Sequence, residues 1–182
     1  MNVISGSVRG LKLDSVKNPD LRPTKDRIKK SLFDILRFEL KDKNFLDLFG
    51  GTGQIGIEAF SQGAGKVVIV ELDENNVSLI KKNISKIRIS NNITLVKEDA
   101  VKFLGNYNYN FDIIFLDPPY KHTDLLKNVL SKISKLTYLP KIIAVETLTS
   151  LEIPIDSNIF SLRKKYKYGR ISLSLYELKQ IF

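Results

Sequence analysis

FLDLFGGTGQIG, running from Phe45 to Gly56, decides the fold of this 182-residue chain. An apolar run of Phe45, Leu46, Leu48 and Phe49 breaks into Gly50-Gly51-Thr52-Gly53, and a helical pattern begins at once. That succession predicts a buried strand, a tight glycine turn and a helix N-terminus. Glycine lets a ligand approach the backbone where a Cβ would collide, and it tolerates positive φ. The first amides of the helix add a partly positive field. Together these features make a nucleotide-type cradle.

Two cofactor chemistries fit such a cradle. Gly51-x-Gly53-x-x-Gly56 matches the dinucleotide fingerprint, and Glu71 follows Gly51 by 20 residues. Asp47 argues the other way. It is a carboxylate inside the strand, where a dinucleotide site has an apolar residue, and buried there it needs a donor. The ammonium of a methionine-like moiety is one such donor, and the amides of the turn are another.

The charge pattern concerns a different partner. The formal net charge is +9, and it is unevenly spread. Residues 1–43 carry a net +5, residues 44–120 a net −2, and residues 121–182 a net +6. Basic ends around an acidic middle suit a polyanion held by the termini, although lysines also simply solvate helix faces. There are no cysteines, which excludes disulfides and thiolate metal sites and fits a reducing compartment. A single histidine, His122, makes a histidine-based metal centre or triad untenable. No signal pattern and no apolar run of membrane-spanning length is present, so a soluble, cytoplasmic, single-domain protein without metal is expected.

Upstream of the glycine stretch, Val3 to Leu13 alternates around two glycines and predicts a small β-hairpin carrying Arg9 and Lys12. Arg22-Pro23-Thr24-Lys25-Asp26-Arg27 then leads into Ile28, Leu32, Ile35, Leu36 and Leu40 at helical spacing, with Thr24 as a candidate N-cap. Arg22 and Arg27 would flank that helix start, where phosphate binding is one reading and a solvated terminus the other. Residues 1–43 thus form an extension of hairpin and helix ahead of a core over 44–182.

Downstream, a helix over Ile55–Gln62 is ended by Gly63-Ala64-Gly65. Lys66–Leu72 is a continuous apolar strand of the kind buried on both faces of a parallel sheet, closing in Glu71-Leu72-Asp73. A carboxylate at that carboxyl edge can accept both ribose hydroxyls of a nucleoside. Asp73 caps the next helix, expected over Asn75–Ser90. Ile93–Val96 is a third strand followed by Glu98-Asp99-Ala100, where Asp99 either accepts from an adenine amino group or caps a helix over Ala100–Leu104. Strands are further expected at Phe111–Leu116, Lys141–Glu146 and Ile171–Leu178, the last alternating as an antiparallel neighbour. The segment Arg163-Lys164-Lys165-Tyr166-Lys167-Tyr168-Gly169-Arg170 is a basic candidate for phosphate contact.

Asp117-Pro118-Pro119-Tyr120 follows the fourth strand, 64 residues after Gly53. Proline pairs stop strands, but this combination also has a catalytic logic for methylating an exocyclic amine. The lone pair of such an amine is conjugated into its ring and is a poor nucleophile. The Asp117 carboxylate and the Pro118 carbonyl can accept its two protons, while two prolines rigidify the turn and remove competing donors. Tyr120 offers a face for an extruded base.

LDLFGGTG, the strand-end Glu71, EDA and DPPY resemble class I S-adenosylmethionine-dependent methyltransferases. More narrowly, RPTKDRIKKSLFDIL followed by LDLFGGTGQIGIEA, with the terminal YGRISLSLYE, is similar to the RsmD-type 16S ribosomal RNA guanine-N2 methyltransferases. The resemblance implies a Rossmann-like α/β fold with a seven-stranded mixed sheet between helices, its last strands an antiparallel hairpin. It implies S-adenosylmethionine as cofactor, and a guanine of 16S rRNA in small ribosomal subunits as substrate. Asp47, Gly51, Gly53, Glu71 and Asp99 match cofactor positions, with Phe49, Gly50, Thr52, Leu72 and Ala100 beside them. Asp117, Pro118, Pro119 and Tyr120 match the catalytic motif. Arg9, Lys12, Arg22, Arg27, Arg163, Lys164, Lys165 and Arg170 are the candidate RNA contacts, and a monomer is expected. The segment near Asn106 is shorter than the family pattern. An adenine-N6 methyltransferase, a NAD-dependent oxidoreductase and a non-catalytic RNA-binding module are the alternatives.

Overall fold

The computed structural model describes residues 1–15, 23–106, 109–119 and 123–180. Seven strands form one sheet in the order β3-β2-β1-β4-β5-β7-β6. They are β1 (Asn44–Asp47), β2 (Lys66–Glu71), β3 (Ile93–Lys97), β4 (Ile113–Leu116), β5 (Ile142–Leu148), β6 (Phe160–Tyr168) and β7 (Ile171–Leu178). The first five pair in parallel, while β7 runs antiparallel to both β5 and β6. The sheet is therefore mixed, and its last two strands are a hairpin.

The central strands are short apolar runs because both of their faces are covered. Phe45, Val67, Ile69, Ile113, Phe115, Ile142 and Ala144 point to one side, where α1 (Pro23–Leu36), α2 (Gln54–Ser61) and α3 (Glu74–Ile84) supply Ile28, Leu32, Leu36, Ile55, Ala59 and Ile80. Leu46, Val68, Val70, Ile114, Ile143 and Val145 point to the other, against α4 (Ala100–Asn106) and α5 (Thr123–Ile133). Strand order reverses between β1 and β4, which opens a crevice at the carboxyl edge of the sheet, the usual place for a ligand in such folds.

Four expectations change. The N-terminal hairpin is present but short: one antiparallel bridge, Asn2 with Lys12, flanked by Val3 N–H to Leu11 O at 3.0 Å and Leu13 N–H to Met1 O at 2.9 Å. Its ladder stops because other groups take its amides: Ile4 and Ser5 N–H donate to the Glu58 carboxylate at 2.8 and 3.0 Å, and Val8 N–H donates to Ser61 Oγ. Buried Lys29 completes the clamp, donating to Asn2 O at 2.9 Å and lying 3.8 Å from Glu58. The arm thus docks on α1 and α2, with Val3 and Leu13 packed against Ile57 and Ile87. Helix α1 already begins at Pro23, so Thr24 lies inside it rather than capping it, and proline suits the first helical position. Helix α3 ends at Ile84, well short of Ser90, although Ile87 still reaches the small cluster beneath the arm. Finally, the basic Arg163–Tyr168 stretch lies within the edge strand β6, and α5 follows the Asp-Pro-Pro motif.

Candidate active site

A cavity of about 740 Å³ lies across the carboxyl ends of β1 to β4. The glycine turn forms part of its wall. Gly50 N–H donates to Val70 O at 2.8 Å and Gly53 N–H to Gly50 O at 2.7 Å, which folds the turn back over β2. Gly51 has φ +54° and room for a Cβ, which would meet only Phe49 O at 3.9 Å, and it borders the cavity. Gly50 and Gly53 serve packing instead. A Cβ on Gly50 would stand 2.6 Å from Ile69, and one on Gly53, at φ +76°, 3.1 Å from Ile80. The positive φ at the cavity wall therefore accounts for Gly51, and close approach to β2 and α3 accounts for Gly50 and Gly53. Thr52 is held through its carbonyl, which accepts from Asn83 Nδ2 at 3.1 Å.

Asp47 is 1% exposed and does not border the cavity, whereas its neighbours Leu48 and Phe49 do. Its Oδ2 accepts from the Gly56 amide at 3.0 Å. Helix α2 starts from Gly53, which has no side chain to cap it, so the strand-end carboxylate satisfies one of the first-turn amides. Its Oδ1 is buried without a hydrogen-bond partner among the described residues. Burial pushes the Asp47 carboxyl up to about 7; the Gly56 amide opposes this, and the charges of Asp117 and Glu71 reinforce it.

A stability consequence follows from that raised value. It lies above the ordinary 3.8, so the native protein holds a proton that the unfolded chain has released. This contribution is complete below about pH 4 and is lost as pH rises through 7. Asp47→Asn cannot ionise, so it should gain stability over the ligand-free wild type as pH is raised from 4 to 8. The gap should widen by up to a few kcal/mol, because each tenfold difference in proton affinity between the folded and unfolded chains is worth about 1.4 kcal/mol. Thermal melts of both proteins across that range check this, and a pH-independent gap would contradict it.

Glu71 closes β2 with both oxygens engaged. Oε2 accepts from Gly51 N–H at 2.7 Å, while Oε1 accepts from Leu72 and Asp73 N–H at 2.7 and 2.8 Å. The carboxylate expected to meet ribose hydroxyls thus also ties the glycine turn to the start of α3. Leu72 is 62% exposed and borders the cavity. Asp73 caps α3 by accepting from Asn76 N–H at 3.0 Å. Asp99 does the same for α4: its Oδ1 accepts from Val101 and Lys102 N–H, both at 3.0 Å, while the residue and its neighbour Ala100 border the cavity. From β4 come Asp117, Pro118 and Pro119, with Pro118 buried and Pro119 exposed. Tyr120 lies outside the described residues.

Six carboxylates line this cavity, Glu71, Asp73, Glu74, Glu98, Asp99 and Asp117, and no lysine, arginine or histidine does among the described residues. Glu74, Glu98 and Asn76 were not singled out from sequence; Glu98 had a signal in its position beside Asp99, Glu74 in its position beside Asp73, and Asn76 had none. Among the described residues no group of three or more His, Cys, Asp or Glu is placed to hold a metal ion, and no helix is long and apolar enough to cross a membrane.

The basic candidates separate in space. Arg9 and Lys12 are exposed on the N-terminal arm, and Arg27 is exposed on α1. Arg22 lies outside the described residues. Arg163 is occupied, with Nη1 2.6 Å from Glu39 and 3.1 Å from Glu177. Lys165 Nζ donates to Thr149 O at 3.0 Å, and Lys164 Nζ lies 5.1 Å from the centre of the Tyr166 ring. Arg170 is exposed in the β6–β7 turn.

The sheet order, the glycine turn after β1 and a cavity spanning the switch point together define a class I methyltransferase fold. The chain belongs to the RsmD-type methyltransferase family: the family model described as Conserved hypothetical protein 95 matches residues 1–177. The ribosomal RNA small subunit methyltransferase D of Buchnera aphidicola (subsp. Acyrthosiphon pisum) is 32% identical over 177 residues, covering 96% of this chain and 91% of the relative. Its Escherichia coli K12 namesake is 30% identical over 179 residues, covering 97% and 89%. The solved structure of yhhF from Escherichia coli superposes with a TM-score of 0.86 at 29% identity, covering 98% of both chains.

Proposed function

We propose that this chain transfers a methyl group from S-adenosylmethionine to the exocyclic N2 amine of a guanine in the 16S ribosomal RNA of the small subunit. It would act as a cytoplasmic, single-domain monomer. The observation that carries the cofactor is the charge of the cavity. Six carboxylates line it, of which Glu74 pairs with Lys97 outside the lining. With no cationic side chain among the described lining residues, the remaining five favour a ligand bearing a sulfonium and an ammonium. The same walls repel the pyrophosphate of a dinucleotide, which disfavours the NAD alternative. Asp47 Oδ1, buried without a partner beside the turn, suits an added cationic donor.

In this reading the turn at Gly51 holds the amino-acid end of the cofactor, Asp47 beneath it offers its unpartnered Oδ1, and Gly50, Thr52 and Gly53 give the turn its shape. Glu71 faces the ribose, and Asp99 and Ala100 face the adenine, with Phe49 and Leu72 as apolar walls. When bound, S-adenosylmethionine supplies an electrophilic methyl group on its sulfonium. Asp117 and the Pro118 carbonyl accept hydrogen bonds from the two N–H groups of the guanine amine, which favours a pyramidal nitrogen with its lone pair turned to the methyl group. Transfer leaves S-adenosylhomocysteine, and the methylated nitrogen then gives up one proton to the Asp117 carboxylate. Asp117 also stabilises the positive charge that develops on that nitrogen. Pro118 and Pro119 fix the turn, and Tyr120 is the stacking face for the extruded base.

The names of the curated relatives support ribosomal RNA as the substrate, and the basic termini suit it electrostatically. Incubation with labelled S-adenosylmethionine and naked 16S rRNA, small subunits or duplex DNA tests the reading. Label is expected in the ribosomal RNA or the subunits and not in DNA; label in DNA alone would overturn it.

A further inference from the structure

The β6–β7 turn, read from sequence only as part of a basic run, sits at the catalytic edge of the sheet. Tyr168 pairs with Ile171, and Ile171 pairs with Leu148, the last residue of β5. Thr149 N–H then donates to Arg170 O at 2.8 Å. Strand β5 runs parallel to β4, so Tyr168 and Arg170 lie at the same end of the sheet as Asp117. The start of β6 lies at the other end, where Arg163 is held by Glu39 and Glu177.

Helix α1 meets this turn. The Tyr168 hydroxyl donates to Ser31 Oγ, and a groove of about 380 Å³ opens between helix and strand. Arg27, Lys30, Ser31, Asp34, Ile35 and Tyr168 line it. Arg27 and Lys30 are exposed, and the Tyr168 ring is half-buried with its hydroxyl fixed. A fixed aromatic face beside two free-ended cations is the combination that holds single-stranded nucleic acid: bases stack on the ring while the cations follow the backbone. Asp34 sets the direction, because a phosphate is accommodated at the Arg27 and Lys30 end of the groove and repelled at the other.

Resting on the guanine-methylating reading, we propose that this groove docks the single-stranded RNA flanking the target nucleotide. Arg27 and Lys30 hold backbone phosphates, and Tyr168 stacks one unpaired base. The carboxyl-edge position of the groove lets the same strand reach Asp117. Arg163, at the far end of β6 and neutralised by two carboxylates, takes no part.

The test combines steady-state methyl transfer on a 16S rRNA transcript and on small subunits with filter binding of the transcript across a salt series. Arg27→Gln with Lys30→Gln should raise KM for the transcript about tenfold or more. It should also flatten the log–log salt slope by about 0.7 for each phosphate that is no longer neutralised. Tyr168→Leu should likewise raise KM about tenfold, whereas Tyr168→Phe, which keeps the ring face, should stay close to wild type. In all of these kcat and cofactor affinity should hold, and Lys135→Gln, at the opposite edge of the sheet, should change nothing. Methyl transfer with wild-type KM and salt slope in the groove variants overturns the groove and leaves the enzymatic reading intact. A wild type that methylates neither the transcript nor small subunits overturns the enzymatic reading instead, and filter binding still judges the groove: transcript affinity unaffected by Tyr168→Leu and Arg27→Gln/Lys30→Gln, or no transcript binding at all, overturns it.

Discussion

Asp117→Ala is expected to lower the rate of methyl transfer by about a hundredfold or more, the scale of removing one preorganised electrostatic group. The residue sits where β4 ends at the cavity, in a turn stiffened by Pro118 and Pro119. A carboxylate that accepts an amine proton and faces a developing positive charge acts mainly in the transition state, so its loss falls on the chemical step. Cofactor affinity should change little, because the proposed reading assigns that ligand to Glu71, Asp99 and the glycine turn rather than to Asp117. Asp117→Asn separates two contributions: it keeps an acceptor oxygen and the volume but removes the charge. Partial activity means that orientation of the amine dominates, and activity as low as that of the alanine variant means that charge does. Single-turnover assays at saturating RNA report this step apart from binding. A wild-type rate in the alanine variant would remove the motif from the mechanism.

Glu71→Ala carries the second large effect, on binding rather than chemistry. Hydrogen bonds to a charged acceptor contribute about 1.5–3 kcal/mol each, so loss of a ribose contact alone predicts a ten- to hundredfold weaker S-adenosylmethionine affinity. The structure adds a second expectation. Three amides, of Gly51, Leu72 and Asp73, converge on this carboxylate, so its removal also loosens the glycine turn and lowers the melting temperature by several degrees. Glu71→Gln retains one acceptor oxygen and should fall between. Titration calorimetry against S-adenosylmethionine and NAD checks both sides, with NAD expected not to bind the wild type. Unchanged S-adenosylmethionine affinity in a folded Glu71→Ala protein would withdraw the assignment.

What could be read from sequence was governed by which contacts are local. Strands β1, β2, β4 and β5 were legible because burial on both faces demands unbroken apolar runs, and β7 because its alternation marks a different environment. The edge strand β6 was legible only through the family resemblance, which implied a closing hairpin, since most of its own side chains face solvent and Arg-Lys-Lys-Tyr-Lys-Tyr reads as a basic surface run. The N-terminal hairpin stays short for a tertiary reason: Glu58, Ser61 and Lys29, distant in sequence, capture groups that a longer ladder would have used. Gly50 and Gly53 carried a correct residue type with an incomplete explanation, because Ile69 and Ile80 come from other elements. Asp47 was legible as unusual, whereas its bond to Gly56 required knowing that α2 starts from a residue without a cap. The acidic character of the cavity could have been foreseen from Glu71, Asp73, Glu98, Asp99 and Asp117, each at or just after the end of a strand.

The most direct measurement is the identity of the methylated nucleoside. Ribosomal RNA or small subunits labelled by the enzyme would be digested to nucleosides, separated and compared with standards. The account predicts a single labelled product, N2-methylguanosine, lost in Asp117→Ala. Label in N6-methyladenosine, or in a methylated cytidine or uridine, would contradict it.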